Sequence, residues 1–183
     1  MNQPSVLIAC IGNIFLGDDG FGCEVARHLS QLSWPDNVKV VDFGIRGLDL
    51  AYALLDGPDV TIFVDASPRG QRPGTLYTIE PALEEIENIE TGAMVDAHNM
   101  DPMKVLSMVK SLGGQFKKIL LVGCEPATFG PEEGQMGLSE SVAGAVPEAV
   151  KVIGSLVAAT IEEMSPQIFY ELQGSTGGLE RDG

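Results

Sequence analysis

Short apolar runs that alternate with helical segments constrain the fold of this chain more than any other feature. Val6–Ile11 and Val60–Val64 are continuously apolar and too short for helices, which is typical of strands buried on both faces of a parallel sheet. Further strands are predicted at Val38–Phe43, Gly74–Ile79 and Ile119–Val122. Because helical patterns separate these runs, we predict an α/β fold with a doubly wound, mostly parallel sheet.

Apolar residues at helical spacing predict the segments between the strands. The predicted helices are one that ends near Leu32, then Leu48–Leu55, Pro81–Ile89 and one that begins at Asp101-Pro102. In the last of these, aspartate is the N-cap and proline takes the first helical position. A final helix is predicted from about Ser139 to Met164, and Pro147 either kinks this helix or starts it.

The length of the chain fits a single domain. With 183 residues, 44% of them hydrophobic, it can build a stable core without covalent crosslinks. We assign residues 1–164 to one α/β domain and expect 165–183 to form a frayed or disordered tail. Three cysteines, Cys10, Cys23 and Cys124, have no C-x-x-C spacing. This excludes a disulfide framework and a thiolate-rich zinc site, so we expect buried apolar thiols.

The charge of the chain limits its partners. It has 11 Lys+Arg against 26 Asp+Glu and a net charge of −15, so it repels phosphate backbones and anionic lipid. We therefore expect neither nucleic acid nor a membrane as a partner. We expect no apolar run to approach the roughly 20 residues that span a bilayer, and no basic segment followed by a long apolar stretch precedes Val6. These features predict a cytoplasmic protein, and the polar surface pattern predicts a monomer.

The loop after the first predicted strand carries two adjacent carboxylates, Asp18 and Asp19, among several glycines. A strand, a glycine-rich turn and a helix can bind a dinucleotide, but the spacing here is not G-x-G-x-x-G. Two carboxylates would also repel the anion that a helix N-terminus can bind, so a cation is the more suitable ligand. Capping of the following helix is the alternative for either aspartate. Because one cap needs only one aspartate, the other remains available to bind a ligand.

Two later residues are predicted to reach the same edge of the sheet, because ligands of doubly wound sheets lie beyond the carboxyl ends of the strands. Asp65 directly follows Val60–Val64, where a buried carboxylate would need a partner; a turn before Ser67 is the alternative. His98 precedes the predicted N-cap Asp101 by three residues. The positive end of that helix favours the neutral, metal-binding imidazole; an ordinary exposed histidine is the alternative.

Asp19, Asp65 and His98 together would form an open site of oxygen and nitrogen ligands. Three ligands leave positions for water or for a partner's groups, and the set suits Zn²⁺, Ni²⁺, Fe²⁺ or Cd²⁺ better than Cu(I) or Mg²⁺. The other histidine, His28, borders the apolar stripe of the first helix and is interpreted as structural. The sequence lacks H-E-x-x-H, G-x-S-x-G and G-x-x-x-x-G-K-[ST], the motifs of three common hydrolase classes.

The order of these features resembles that of the nickel–iron hydrogenase maturation endopeptidases. The resemblance spans about Val6 to Glu163 and is carried by Gly12-Asn13, Asp18-Asp19-Gly20, Asp65, His98 and Leu120-Leu121-Val122-Gly123 ahead of a Pro-containing loop. It implies a five-stranded twisted sheet flanked by helices. It also implies a single cut that removes a C-terminal extension from the hydrogenase large-subunit precursor after nickel insertion.

The resemblance also implies roles for individual residues. Asp19, Asp65 and His98 correspond to the family's metal ligands and are our candidate catalytic residues; members carry Asp or Glu at the first position. The nickel is carried by the precursor, and zinc or cadmium can occupy such a site in vitro. Asp18 is a candidate for positioning a water molecule. Some classifications treat the family as aspartic-type peptidases, although no D-T-G or D-S-G motif is present.

Other parts of the chain are less constrained. Gly44, Arg46 and Gly47 follow the second strand and are candidates for guiding the substrate peptide, with a plain turn as the alternative. The loop 124–138 and the tail have no assigned role. A nickel-sensing chaperone that binds the precursor without cutting it is an alternative function, and a Rossmann-type nucleotide-binding module is another.

Overall fold

The computed structural model describes residues 3–82, 102–131 and 133–164. A 3₁₀ turn at Gly17–Gly20 precedes the first helix. The strands are β1 (Val6–Ile11), β2 (Val38–Gly44), β3 (Val60–Ala66), β4 (Leu76–Ile79) and β5 (Lys118–Cys124). The helices are α1 (Phe21–Leu29), α2 (Gly47–Leu55), α3 (Pro102–Ser111) and α4 (Glu140–Met164).

The five strands form one sheet in the order β2-β1-β3-β5-β4. β1 pairs in parallel with β2 and β3, and β3 pairs in parallel with β5, whereas β4 lies antiparallel to β5 at the edge. This confirms the predicted mostly parallel α/β sheet. In the register, Cys10 of β1 lies beside Val64 of β3 and Asp42 of β2, so the carboxyl ends of these three strands meet at one edge.

Alternation along β1 divides the core between the two faces of the sheet. Val6, Ile8 and Cys10 pack on the side covered by α1 and α4, while Leu7, Ala9 and Ile11 pack on the side covered by α2 and α3. Successive side chains of a strand point to opposite faces, so a continuous apolar run fits only a strand that is covered on both sides. The position of β1 inside the sheet follows from its sequence.

One helix boundary differs from the sequence prediction, and the structure decides the position of Pro147. α1 ends at Leu29 and not near Leu32, which is 49% exposed and lies in a turn closed by backbone hydrogen bonds. At the other end of the chain, α4 is one helix and Pro147 lies inside it. Proline has no N–H, so the carbonyl of Ala143, four residues earlier, lacks its usual helical hydrogen bond. Ala143 and Pro147 are both exposed, so water can donate a hydrogen bond to that carbonyl.

Helix α4 corrects one expectation about composition. It has 25 residues with an 18-residue window of mean hydropathy 1.5, so by length and composition alone it could cross a membrane. Our expectation that no run approaches this length is wrong for α4. Val142, Val146, Ile153 and Val157 are nevertheless buried in the core cluster shared with α1 and the sheet, as in the core helix of a folded domain.

Several predictions fall on residues that the structure does not describe. The predicted helix Pro81–Ile89 lies outside the described residues from position 83, and so do Asp101 and the tail 165–183. Pro102 is the first residue of α3, in agreement with the predicted start of that helix.

Candidate active site

Helix α1 begins directly above the ends of β1 and β3. A Cβ on Gly22 would lie 2.1 Å from the carbonyl oxygen of Ile11 and 2.5 Å from that of Val64, so only glycine permits this close approach. Asp19 lies three residues before Gly22, and Asp65 follows Val64. The chain therefore brings the first two predicted site residues to the same junction between the 3₁₀ turn, α1 and the two strand ends.

Asp19 is half-buried in this junction, and its Oδ2 accepts a hydrogen bond of 2.8 Å from the backbone N–H of Asn13. Burial raises the pKa of the Asp19 carboxyl, and the hydrogen bond from Asn13 offsets only part of that effect. Neither Asp18 nor Asp19 caps α1, because the N-cap is Gly20 and no side chain caps it. The capping alternative is therefore wrong.

Asp18 points away from solvent and is fully buried. Its carboxylate accepts hydrogen bonds from the N–H groups of Ala127 (2.7 Å), Thr128 (3.1 Å) and Ser139 (2.6 Å), and from the Ser139 hydroxyl (3.0 Å). Burial opposes ionisation, but these hydrogen bonds lower the pKa of Asp18 below its ordinary value. All of these donors are protein groups, and the role of Asp18 in positioning a water molecule stays a prediction.

These contacts give the loop 124–138 a structural role that the sequence did not indicate. Gly17 N–H donates to the carbonyl of Gln135 (2.7 Å), and Gln135 N–H donates to the carbonyl of Phe15 (2.8 Å). An isolated parallel bridge joins Leu16 to Gln135. The first loop and the later loop are thus hydrogen-bonded to each other at Gln135 and, through Asp18, at Ala127 and Thr128.

Asp65 is half-buried within β3, where it lies opposite Gly123 of β5. The loop that follows it is held by Glu125, a buried residue that sequence reasoning missed. The Glu125 carboxylate accepts hydrogen bonds from the N–H groups of Arg69 (2.7 Å) and Gly70 (3.1 Å). Its sequence signal is the same as that of Asp65, a carboxylate that follows a buried strand at the carboxyl edge.

The predicted third ligand, His98, lies outside the described residues. Among residues 3–82, 102–131 and 133–164, no group of three or more His, Cys, Asp or Glu side chains could hold a metal ion. The convergence of Asp19, Asp65 and His98 on one ion therefore stays a prediction. His28 is half-buried on α1, where its Nε2 lies 3.4 Å from the Glu24 carboxylate, and it lines the larger cavity described below.

The turn between β2 and α2 contains the residues proposed to guide the substrate. Gly44 has a φ of +54°, a left-handed conformation that favours glycine. The Arg46 guanidinium donates to the backbone carbonyls of Phe43 (3.1 Å) and Asp42. Arg46 therefore stabilises its own turn, which agrees with the alternative that this segment is a plain turn. The role of Gly44, Arg46 and Gly47 in guiding a substrate peptide stays a prediction.

A cavity of about 700 Å³ opens beside the first loop, and a second of about 290 Å³ continues from it towards the β2–α2 turn. The two share Ile14, Cys23 and Asp42 in their linings. Met136 and Leu138 form part of the wall of the larger cavity. Concave sites with apolar walls and a few polar groups are typical of ligand binding, and this one adjoins the loop that carries Asp19.

The fold and the site define a class of protein: a doubly wound α/β domain with acidic side chains and a partly apolar groove at the carboxyl edge of its sheet. The family model HycI, described as hydrogenase maturation protease, matches residues 23–156. The chain belongs to the hydrogenase maturation protease family. The matched range contains the positions of Asp65 and His98 and begins after Asp19.

Individual relatives agree with the family match. The chain is 36% identical over 155 residues to a Methanocaldococcus jannaschii protein provisionally assigned as a hydrogenase maturation protease, covering 84% of this chain and 96% of that protein. It is 30% identical over 149 residues to the hydrogenase expression/formation protein HupD of Rhizobium leguminosarum, covering 81% of this chain and 71% of that protein.

Solved structures show the same fold. The hydrogenase maturating endopeptidase HybD from E. coli superposes with a TM-score of 0.70 at 25% identity, covering 85% of this chain and 93% of that one. A hydrogenase 2 maturation peptidase from a Thaumarchaeota archaeon superposes with a TM-score of 0.63 at 32% identity, covering 84% and 97%. These comparisons confirm the resemblance drawn from the sequence, and they support hydrolase activity of the peptidase type.

Proposed function

We propose that this protein removes the C-terminal extension of a nickel–iron hydrogenase large-subunit precursor after nickel has been inserted. Membership of the maturation protease family supports a peptidase that acts on hydrogenase. The observation that carries the proposal is the junction at the carboxyl edge, where the turn with Asp19 meets the strand end with Asp65. The adjoining cavity offers space for a peptide segment.

In this proposal Asp19, Asp65 and His98 complete the coordination of the nickel that the precursor carries. The electrostatics of Asp19 support this role. Burial raises the pKa of Asp19, because its charged form is poorly solvated there. A divalent cation would supply the missing stabilisation, and carboxylate oxygens with an imidazole nitrogen suit nickel as well as zinc or cadmium. The nickel is a part of the substrate and not a resident cofactor.

The same arrangement provides a mechanism for selective cleavage. A precursor without nickel offers nothing to the two carboxylates and the imidazole, so productive docking depends on prior nickel insertion. A bound divalent ion can polarise a carbonyl or lower the pKa of a bound water molecule. Asp19 and Asp65 would hold the scissile segment at the sheet edge, and the family's aspartic-type classification would rest on these two residues.

We further propose that the protein acts in the cytoplasm as a monomer, with no nucleic acid and no membrane as a partner. The net charge of −15 supports this, because it disfavours association with phosphate-rich surfaces. The buried side of α4 supports a role for that helix in the core of the domain.

Incubation with precursor in nickel-loaded and nickel-free forms tests the proposal. Mass spectrometry is expected to show one discrete loss at the C-terminus of the nickel-loaded precursor and none for the nickel-free form. An unchanged mass together with a stable complex would favour the nickel-sensing chaperone. Thermal stabilisation by NAD or ATP, with none by Ni²⁺ or Cd²⁺, would favour the nucleotide-binding module.

A further inference from the structure

We propose that Asp18 is a positioning residue for peptide cleavage, whose buried carboxylate holds the turn that carries Asp19 and the cavity wall at Met136–Leu138 in one fixed arrangement. The inference rests on the proposed function, because it assigns Asp19 and the cavity to the reaction. Asp18 itself reaches neither the cavity lining nor solvent.

The first step of the argument is the cost of burying this carboxylate. A carboxylate without exposure is destabilising unless it is fully hydrogen-bonded, and an apolar residue of similar size would often serve stability as well. Asp18 instead accepts four hydrogen bonds from Ala127, Thr128 and Ser139, which lie 109 to 121 positions later in the chain. The contacts specify one arrangement of two distant loops.

The second step links Asp18 to Asp19. The two are neighbours in a four-residue 3₁₀ turn, and Asp18 N–H donates to the carbonyl of Thr128 at 3.0 Å. On the other side of the turn, the carbonyl of Asp19 packs against Gly12, and its side chain accepts from Asn13. The turn is therefore fixed at one side by Asp18 and at the other by the end of β1, which leaves Asp19 little freedom.

The third step links Asp18 to the cavity. The wall residues Met136–Leu138 lie between two anchored positions. Gln135 is bonded to Phe15 and Gly17 of the first loop, and Ser139 is bonded to Asp18 through both its N–H and its hydroxyl. Loss of the Asp18 carboxylate would release the Ser139 end of this segment, so the wall and the Asp19 turn would shift together.

The chain offers a matched control in Asp59, which is hydrogen-bonded in a similar way at the opposite edge of the sheet. Its carboxylate accepts from Ser5 N–H (2.8 Å), Ser5 hydroxyl (2.9 Å) and Lys117 Nζ (2.6 Å). Ser5, Asp59 and Lys117 directly precede β1, β3 and β5. Asp59→Asn therefore removes a hydrogen-bonded carboxylate, which is partly exposed, far from the candidate site.

The test compares Asp18→Asn and Asp59→Asn in the full chain with nickel-loaded precursor. We expect Asp18→Asn to lower kcat about 100-fold, as a displacement of about 1 Å can do, and to raise KM about tenfold through the altered cavity wall. Asp59→Asn should leave KM unchanged, because a smaller folded fraction reduces only the maximal rate. Equal kcat and KM for the two variants would overturn the inference.

Two further measurements keep the inference separate from folding and from the proposed function. If Asp18→Asn does not fold, Ser139→Ala removes one of the four hydrogen bonds, and a KM unchanged from wild type would overturn the inference. If wild type does not cleave the precursor, amide hydrogen exchange decides. Asp18→Asn must then accelerate amide exchange in both 13–19 and 127–139, while Asp59→Asn does not. Unchanged protection from exchange in either segment of Asp18→Asn would overturn the inference.

Discussion

The backbone carbonyl oxygen of Asp19 lies so close to Gly12 that an ideal Cβ on residue 12 would be only 1.9 Å from it. Gly12 also has a φ of +142°, a conformation that L side chains rarely adopt. The end of β1 and the turn with Asp19 are therefore in a contact that requires glycine. The proposed ligand is placed by backbone packing as well as by its own side-chain hydrogen bond.

The first prediction is that Gly12→Ala destabilises the protein. The clash and the strained φ should together lower the free energy of unfolding by about 3 kcal/mol or more. Urea denaturation measures this. Gly144→Ala is the control, since a Cβ at that exposed position in α4 meets nothing within 4 Å. It should raise the free energy of unfolding by about 0.5–1 kcal/mol. Wild-type stability in Gly12→Ala would contradict the contact.

The second prediction concerns acid unfolding. Hydrogen bonds from Lys117 and Ser5 lower the pKa of Asp59 from 3.8 to about 2 in the folded protein. A carboxyl with a lowered folded-state pKa stabilises the protein above its unfolded-state pKa, and this contribution is lost as the pH falls through the folded-state value. Between pH 4 and pH 2, the midpoint of urea unfolding should therefore fall less steeply in Asp59→Asn than in wild type. An equal fall of the midpoint with pH in the two proteins would contradict this contribution of Asp59 to stability.

The third prediction concerns the thiols. Burial raises the pKa of Cys23 and Cys124 to about 12. Cys10 is fully buried, and burial raises its pKa as well. Because the thiolate is the reactive form, the folded protein should react slowly with maleimide near neutral pH. Mass spectrometry should count three adducts after unfolding and none at early times before it. Rapid modification of any of the three in the folded protein would contradict their buried positions.

Much of the fold could be predicted from the sequence because burial leaves a strong pattern. Val60–Val64 is continuously apolar, and β3 is a strand with neighbours on both sides. The direction of β4 could not be read in the same way. It is a four-residue edge strand with partly exposed residues, and its antiparallel pairing is with β5, a distant part of the chain. The hydrogen bond from Gly74 N–H to the carbonyl of Glu125 lies next to this pairing.

The candidate site could be predicted only in part. The sequence placed Asp19 and Asp65 at the carboxyl edge, since both follow buried strands of a parallel sheet. The residue pattern did not show that Asp18 is buried and Asp19 only half-buried, and different roles for the two neighbours came only from the family resemblance. That difference depends on hydrogen bonds from Ala127, Thr128 and Ser139, and contacts with so distant a segment leave no periodic signal in the sequence.

The most direct test of the central claim is cleavage of nickel-loaded precursor by Asp19→Ala, Asp65→Ala and His98→Ala, with Asp36→Ala as an exposed control beside the opposite edge of the sheet. If the three residues form one site, each variant should fold and yet lose cleavage by about 100-fold or more. The combined Asp19→Ala/Asp65→Ala variant should lose little more, because residues that act as a unit are not additive. Normal cleavage by any of the three, with unchanged folding, would contradict the account.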